Sequence, residues 1–415
     1  MDHDRIVDHD RIAPDRRAVA ISGVGAVSSA GLGADALWEA VVQRRVLTSR
    51  VTRFDMSRYP ARRGAEVPAA AVAALDSVVP GHESLAARYL AAASLEALRD
   101  ARLPVDTRPH RLGVFVGTVM ATRPILDRGI APGRLDVPGR GWARPDELLA
   151  PLRDVVTVSG PEVLLAPGCA AGNSAITAGC RAIVAGEVDV ALCGGVSELS
   201  LEIFAMFTSM RALAVDTVRP FDAYRRGTMP GEGAGVLILE RAGRATARGR
   251  RPLAHVLACA AAADAHNPTQ PHPDGIGLIS TLHGCLARAG LHADDVDWVC
   301  AHGTGTPASD AIEARAVAKA LAGRRRPVVS SVKGQFGHAE GAAAALEAVI
   351  AVRALAEDFV PGNVTLIEPD PACGGIDLVE PVGRRGPVEV VASQAFGFGG
   401  GVSTLLLGKG GGDAG

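Results

Sequence analysis

Aromatic residues are scarce in this chain, only 4% of 415 residues, with three Trp and three Tyr among them, so its interior has to be built from Ala, Val, Leu and Gly. Charge of one sign is also missing: the formal net charge of -2 argues against a general nucleic-acid binder or a protein of the membrane surface. No apolar run reaches the roughly 20 residues that a membrane-spanning helix needs. There is no C-x-x-C pair among Cys169, Cys180, Cys193, Cys259, Cys285, Cys300 and Cys373, and their number is odd. Both facts argue against a disulfide framework or a zinc ribbon and for a reducing cytoplasm, where most of these thiols are plain buried side chains. A phosphate-cradling G-x-x-x-x-G-K-[ST] loop is absent, and Gly23-Val24-Gly25 lacks the third glycine of a dinucleotide fingerprint. His266, His272 and His283 lack the tight spacing of a metal site, so no metal is expected. The start of the chain, in which Asp2-His3-Asp4-Arg5-Ile6 recurs as Asp8-His9-Asp10-Arg11-Ile12, is too charged for a signal peptide; residues 1–16 read as a disordered tail.

What is present is a large apolar interior: 48% hydrophobic and 21% charged residues. The length exceeds what one ordinary core needs, which points to two fused halves. Short β-branched runs such as 17–23, 112–118, 188–195, 296–301 and 327–332 alternate with Ala-rich helical stretches such as 85–101 and 341–357. This alternation predicts an α/β fold with largely parallel sheets. The run 252–257 restarts the pattern begun at Arg17, and each half closes on a glycine-rich turn plus apolar strand, 231–239 and 397–407. The expected division is therefore 17–250, then 251–409, with a flexible tail at 410–415. The basic run Arg241 to Arg251 marks an exposed seam.

Three motifs carry chemistry. In Pro167-Gly168-Cys169-Ala170-Ala171-Gly172 a thiol opens a helix of small residues. The positive end of the helix macrodipole favours thiolate there. Gly172, Ala175 and Gly179 would let another helix come close. His302, in His302-Gly303-Thr304-Gly305-Thr306-Pro307, follows a strand, the usual place for sites in α/β sheets, and Thr304 and Thr306 offer hydroxyls to a polar ligand arm. His338 closes Lys333-Gly334-Gln335-Phe336-Gly337-His338 after another strand. A fourth stretch, Phe396-Gly397-Phe398-Gly399-Gly400-Gly401, has glycines that can aim a backbone N–H at an oxyanion or simply form a tight hairpin. One thiol and two imidazoles suit thioester chemistry: the cysteine carries an acyl group while the histidines stabilise charge on a second substrate.

As a set, these motifs, with Arg219-Pro220-Phe221-Asp222 and Gly231-Glu232-Gly233-Ala234-Gly235, resemble the β-ketoacyl-acyl carrier protein synthases over about 17–407. The resemblance implies the thiolase fold, a duplicated five-layered α/β/α/β/α arrangement, and a dimer, either a homodimer or a heterodimer with a second ketosynthase-like subunit. It implies a decarboxylative Claisen condensation in which Cys169 takes an acyl chain from an acyl carrier protein. His302 and His338 would hold the malonyl thioester carbonyl and its enolate. It assigns the oxyanion hole to the N–H groups of Cys169 and Phe398, a supporting charged pair to Lys333 and Glu347, and contacts with the phosphopantetheine arm to Thr304 and Thr306. Phe398 would gate the acyl pocket. Phe396, Gly399, Thr228 and Met229 complete the implied substrate-binding set, and no cofactor is implied beyond the phosphopantetheine of the carrier.

The chain departs from the family pattern at Thr228, where an aromatic is common, at Pro230, at Gly334, where the family has serine after the lysine, and at Gly401 and Val402 in the C-terminal turn. These positions implicate acyl selectivity and point to a type II polyketide or other secondary-metabolite enzyme. Two other readings of the same motifs are an acyltransferase of this fold that does not decarboxylate and a non-catalytic partner subunit. Retention of Cys169, both histidines and Lys333 favours the condensing enzyme.

Overall fold

The computed structural model describes residues 19–124 and 144–410, with the backbone of 130–131 and 134–135 between them. The predicted tail 1–16 and residues 411–415 of the C-terminal one lie outside the described residues. The strands that organise the fold are β1 (Val19–Ser28), β2 (Leu112–Thr118), β3 (Glu162–Leu165), β4 (Val190–Ser197), β5 (Gly233–Arg241), β6 (Ala254–Ala263), β7 (Trp298–Cys300), β8 (Val328–Ser330), β9 (Asp377–Leu378), β10 (Val390–Phe396) and β11 (Gly401–Lys409). The main helices are α1 (Leu85–Asp100), α2 (Ala171–Ala185), α3 (Ile276–Ala289), α4 (Pro307–Ala320) and α5 (Ala343–Glu357).

Hydrogen bonding links the strands in the order β9-β8-β7-β10-β11-β6-β1-β5-β4-β2-β3, within a 12-stranded sheet. The expectation of largely parallel sheets is corrected here. Pairing is parallel only towards the two edges, among β9, β8, β7 and β10 and among β4, β2 and β3. Through the middle, from β10 to β4, every neighbour is antiparallel. Each half ends on a strand, β5 or β11, that returns beside its first strand, and the short β1–β6 contact joins the halves. The order β1-β5-β4-β2-β3 is thus repeated as β6-β11-β10-β7-β8, the internal duplication read from the glycine-rich turns.

Helices fill the layers. α1 lies on the outer face of β1 and β5, α3 on that of β6 and β11 with α4 against it, and α2 and α5 pack between the halves, touching strands of both. The sequence of layers is α/β/α/β/α. Strands enclosed on both sides should be apolar throughout rather than alternating, and β1 and β4 are buried at every position. Capping fixes the helix ends: Ser84 Oγ accepts from Ala87 N–H before α1, and Gly186 in the left-handed region (φ 72°) closes α2. Gly172 meets α5, where an added Cβ would stand 2.6 Å from Ala345 N. Gly179, expected to do the same, instead makes room for Cys193 on β4, with the sulfur 2.0 Å from the place of a Cβ.

The basic seam folds back on the molecule. Arg244 and Arg248 pair with the buried Glu240, and Arg250 with Asp100. No helix among the described residues is long and apolar enough to cross a membrane.

Candidate active site

Cys169 sits in a tight turn, Gly168–Ala170, that leads into α2. Gly168 takes φ 67°, and a Cβ there would lie 2.9 Å from Phe398 O. From the other side, a Cβ on Gly397 would lie 2.8 Å from Cys169 N and 3.2 Å from its sulfur. The Cys169 turn and the turn Phe398–Gly400 are therefore pressed together, backbone against backbone, at two positions that exclude side chains. His302 follows β7, held by Glu313 of α4, whose carboxylate accepts from His302 N–H (2.7 Å) and Gly303 N–H (2.8 Å). Asp310, one turn earlier on α4, accepts from the N–H of Gly305 and of Phe221. His338 follows the helical turn Lys333–Phe336. Its backbone is clamped by the segment after Thr228, with its N–H donating to Met229 O (2.7 Å) and its carbonyl accepting from Gly231 N–H (2.9 Å).

These elements bring the three expected side chains together. His338 Nε2 lies 3.1 Å from Cys169 Sγ, and the two imidazoles stand edge to face with centroids 5.2 Å apart. The ring of Phe396 lies 4.5 Å from that of His302. Cys169, both histidines, Thr228, Thr304, Thr306, Phe396 and Phe398 line one cavity of about 450 Å³. Thr304 and Thr306 hydroxyls bond to each other at 3.1 Å, and Phe398 leans on Phe207 with ring centroids 5.9 Å apart. Lys333 and Glu347 form a buried ion pair behind the histidines rather than on the cavity wall. Met229 and Gly399 do not line the cavity: Met229 is fully buried and serves His338 through its carbonyl, and Gly399 N–H donates to Pro268 O. Among the described residues no group of three or more His, Cys, Asp or Glu is placed to hold a metal ion.

Burial dominates the electrostatics. It pushes the Cys169 thiol up to about 12, with Glu340 adding to the effect and Lys333 opposing it. The macrodipole expectation of a ready thiolate is thus corrected: the sulfur sits in the turn before α2 and is largely buried at the cavity wall, and that burial disfavours the anion. Burial, then the Lys333 charge, holds both imidazoles well below their ordinary 6.5, so both are neutral. Their Nδ1 atoms have no partner among the described residues, which leaves the tautomer unlocked. Burial lifts Glu313 to about 8 and Asp310 to about 6.

Sequence reasoning passed over Glu313, Asp310, Glu340 and Phe207. A signal existed for the first two: carboxylates three positions apart in the opening turns of α4 share a face towards the His302 loop. Nothing local marks Glu340 or Phe207, whose meaning comes from contacts distant in sequence.

Residues 16–245 match the N-terminal domain of beta-ketoacyl synthase and residues 253–366 its C-terminal domain. The chain is 32% identical over 415 residues to 3-oxoacyl-[acyl-carrier-protein] synthase 2 of a Synechocystis strain, covering 95% of this chain and 99% of that one. It is 33% identical over 401 residues to nodulation protein E of a Rhizobium strain, covering 93% and 97%. Among solved structures, the ishigamide ketosynthase/chain length factor superimposes with a TM-score of 0.87 at 32% identity, covering 95% of this chain and 100% of that one. With both domains matched in order and the fold shared end to end, the chain belongs to the β-ketoacyl synthase family.

Proposed function

We propose that this protein is a condensing ketosynthase of polyketide or specialised fatty-acid synthesis, joining an acyl group carried on Cys169 to a malonyl thioester with loss of carbon dioxide. The observation that carries the reading is one thiol and two neutral imidazoles on the wall of a single cavity, with Sγ and Nε2 3.1 Å apart. In the loading step Sγ attacks the carbonyl of an acyl-carrier thioester. The thiol proton leaves through His338 Nε2 and ends on the departing carrier thiol, so a thiol held at about 12 needs no standing thiolate. We assign the oxyanion hole to the N–H groups of Cys169 and Phe398, a reading supported by the contact between their two turns.

In the condensing step His302 and His338 hold the malonyl carbonyl oxygen by neutral N–H groups. The C–C bond to the carboxylate breaks, carbon dioxide departs, and the electron pair enters the enolate. The enolate carbon then attacks the Cys169 thioester, and collapse of the adduct expels the sulfur as thiolate, which takes up a proton from solvent. Lys333 and Glu347 are positioning residues that brace the His338 turn, and Glu313 positions His302. Thr304 and Thr306 face the cavity where a phosphopantetheine arm would lie, and Phe398 on Phe207 is the gate.

The partner is an acyl carrier protein. The likeness to a ketosynthase/chain length factor favours assembly with a second ketosynthase-like chain, and seven unbridged cysteines fit a reducing cytoplasm.

The test is the intact mass of the protein after exposure to acyl-carrier proteins, with carbon dioxide release from malonyl-carrier followed in parallel. An acyl adduct and carbon dioxide are expected, and Cys169→Ala should abolish the adduct. Condensation by the alanine variant would sink the proposal, and an adduct on the wild type without carbon dioxide would replace it by acyl transfer alone.

A further inference from the structure

Two residues beyond His338, the turn Glu340–Ala342 packs against the turn that bears Cys169 and against β2 and β4. Glu340 is only 3% exposed, and among the described residues its Oε2 has no hydrogen-bond partner. Other enclosed carboxylates have at least one oxygen met: Glu313 by two backbone N–H groups, Glu347 by Lys333 at one oxygen while its Oε2 also lacks a partner, Glu240 by Arg244 and Arg248, and Glu232 by Arg53, Tyr89 and two backbone N–H groups. A buried carboxyl left bare is a cost that folding alone gives no reason to keep.

Its placement is imposed. Glu340 takes φ 48°, a region that side-chain-bearing residues avoid. The next residue fixes it there: Gly341 N–H donates to Ser197 Oγ (3.1 Å), and a Cβ on Gly341 would come within 2.8 Å of Thr118 Cα. Strain retained beside a reactive group points to use. The turn that bears Glu340 lies against the turn that bears the thiol, yet Glu340 is not on the cavity wall shared by Cys169, Thr304 and Thr306. The carrier arm would enter by that cavity, which leaves the acyl chain beyond the sulfur as the part of the substrate free to reach the Glu340 turn.

We propose that Glu340 is a specificity-determining residue that hydrogen-bonds an oxygen on the acyl chain held by Cys169, so that the chain accepted is an oxygenated one bearing hydroxyl or carbonyl groups rather than a saturated hydrocarbon. A carboxyl enclosed by burial alone favours its neutral form, which both donates and accepts, and so matches a neutral oxygen better than an ammonium group. The inference rests on the acyl-Cys169 reading above.

The experiment compares Cys169 loading, by intact mass over time, from octanoyl-N-acetylcysteamine and from a set of its monohydroxy derivatives. The wild type should load at least one hydroxylated thioester about 10-fold or more faster than the saturated one, because a site built to bond an oxygen discriminates against a substrate lacking it. Glu340→Gln should keep the preference. Glu340→Leu should lose it while still accepting the octanoyl group, which shows that the variant is folded. A wild type that loads the saturated chain fastest overturns the proposal, even if the leucine variant does not fold, as does an unchanged ratio in a folded leucine variant. Absence of an acyl adduct from every thioester would instead overturn the acyl-Cys169 reading, and this one with it.

Discussion

Lys333 shows how a single residue can be legible by type and opaque by role. A lysine in an apolar, glycine-rich stretch is conspicuous in the sequence, but only the fold shows it 1% exposed, with Glu347 of α5 as its partner. Two charges in such a place contribute little net stability as a pair, whereas one alone is costly. Lys333→Met should therefore lower the unfolding free energy by about 3–5 kcal/mol. The double change Lys333→Met with Glu347→Leu should recover most of that loss, as read by urea denaturation. If the double variant is no more stable than the single, the pair is not the source of the effect. Cys169 teaches the same lesson in reverse: its helix-start position was readable, but the depth of burial that keeps it a thiol was not.

Among the elements, α2 and α5 matter most, because each is sandwiched between the halves and each is attached to a site turn. Their small residues were visible as a pattern, but which of them faces the other helix was not. The contact falls at Gly172, while Gly179 faces the sheet. Gly172→Ala puts a methyl 2.6 Å from Ala345 N, backbone that cannot step aside. We expect a loss of about 1–3 kcal/mol in denaturant unfolding. Gly243, on an exposed helix with nothing near its Cβ position, is the control and should tolerate the same change. Strands were found from their β-branched runs. Their direction was not, since the returning strands β5 and β11 make the centre of the sheet antiparallel, and a run of apolar residues looks the same read either way.

At the scale of the molecule, the buried titratable groups set a pH dependence that composition does not foretell. Glu313 is lifted from 4.5 to about 8 and Asp310 from 3.8 to about 6, so the folded state holds protons that the unfolded chain gives up. Their contribution to stability is complete below the unfolded values and disappears as pH rises through the folded ones. The imidazoles of His302 and His338 are lowered from 6.5, so they cost stability only as pH falls below 6.5 and have no effect above it. Between pH 6.5 and 8 the imidazoles no longer contribute, Glu313 and the likewise raised Glu340 carboxyl act in the same direction, and the melting temperature should fall as pH rises. In Glu313→Gln the fall should be shallower, whatever the starting stability. Below 6.5 the two sets oppose each other and the curve should flatten. Scanning calorimetry across this range checks both slopes, and a melting temperature that climbs from 6.5 to 8 would contradict the argument.

The sequence by itself determined the α/β class, the duplication, the three motifs and hence the chemistry, because turn glycines, apolar runs and reactive side chains are properties of short stretches of chain. The tertiary structure alone decided strand direction, the neutrality of thiol and imidazoles, the carboxylate support under His302 and the bare carboxyl of Glu340. Those depend on burial and on contacts between residues far apart in the chain, and neither is written in any local window of sequence.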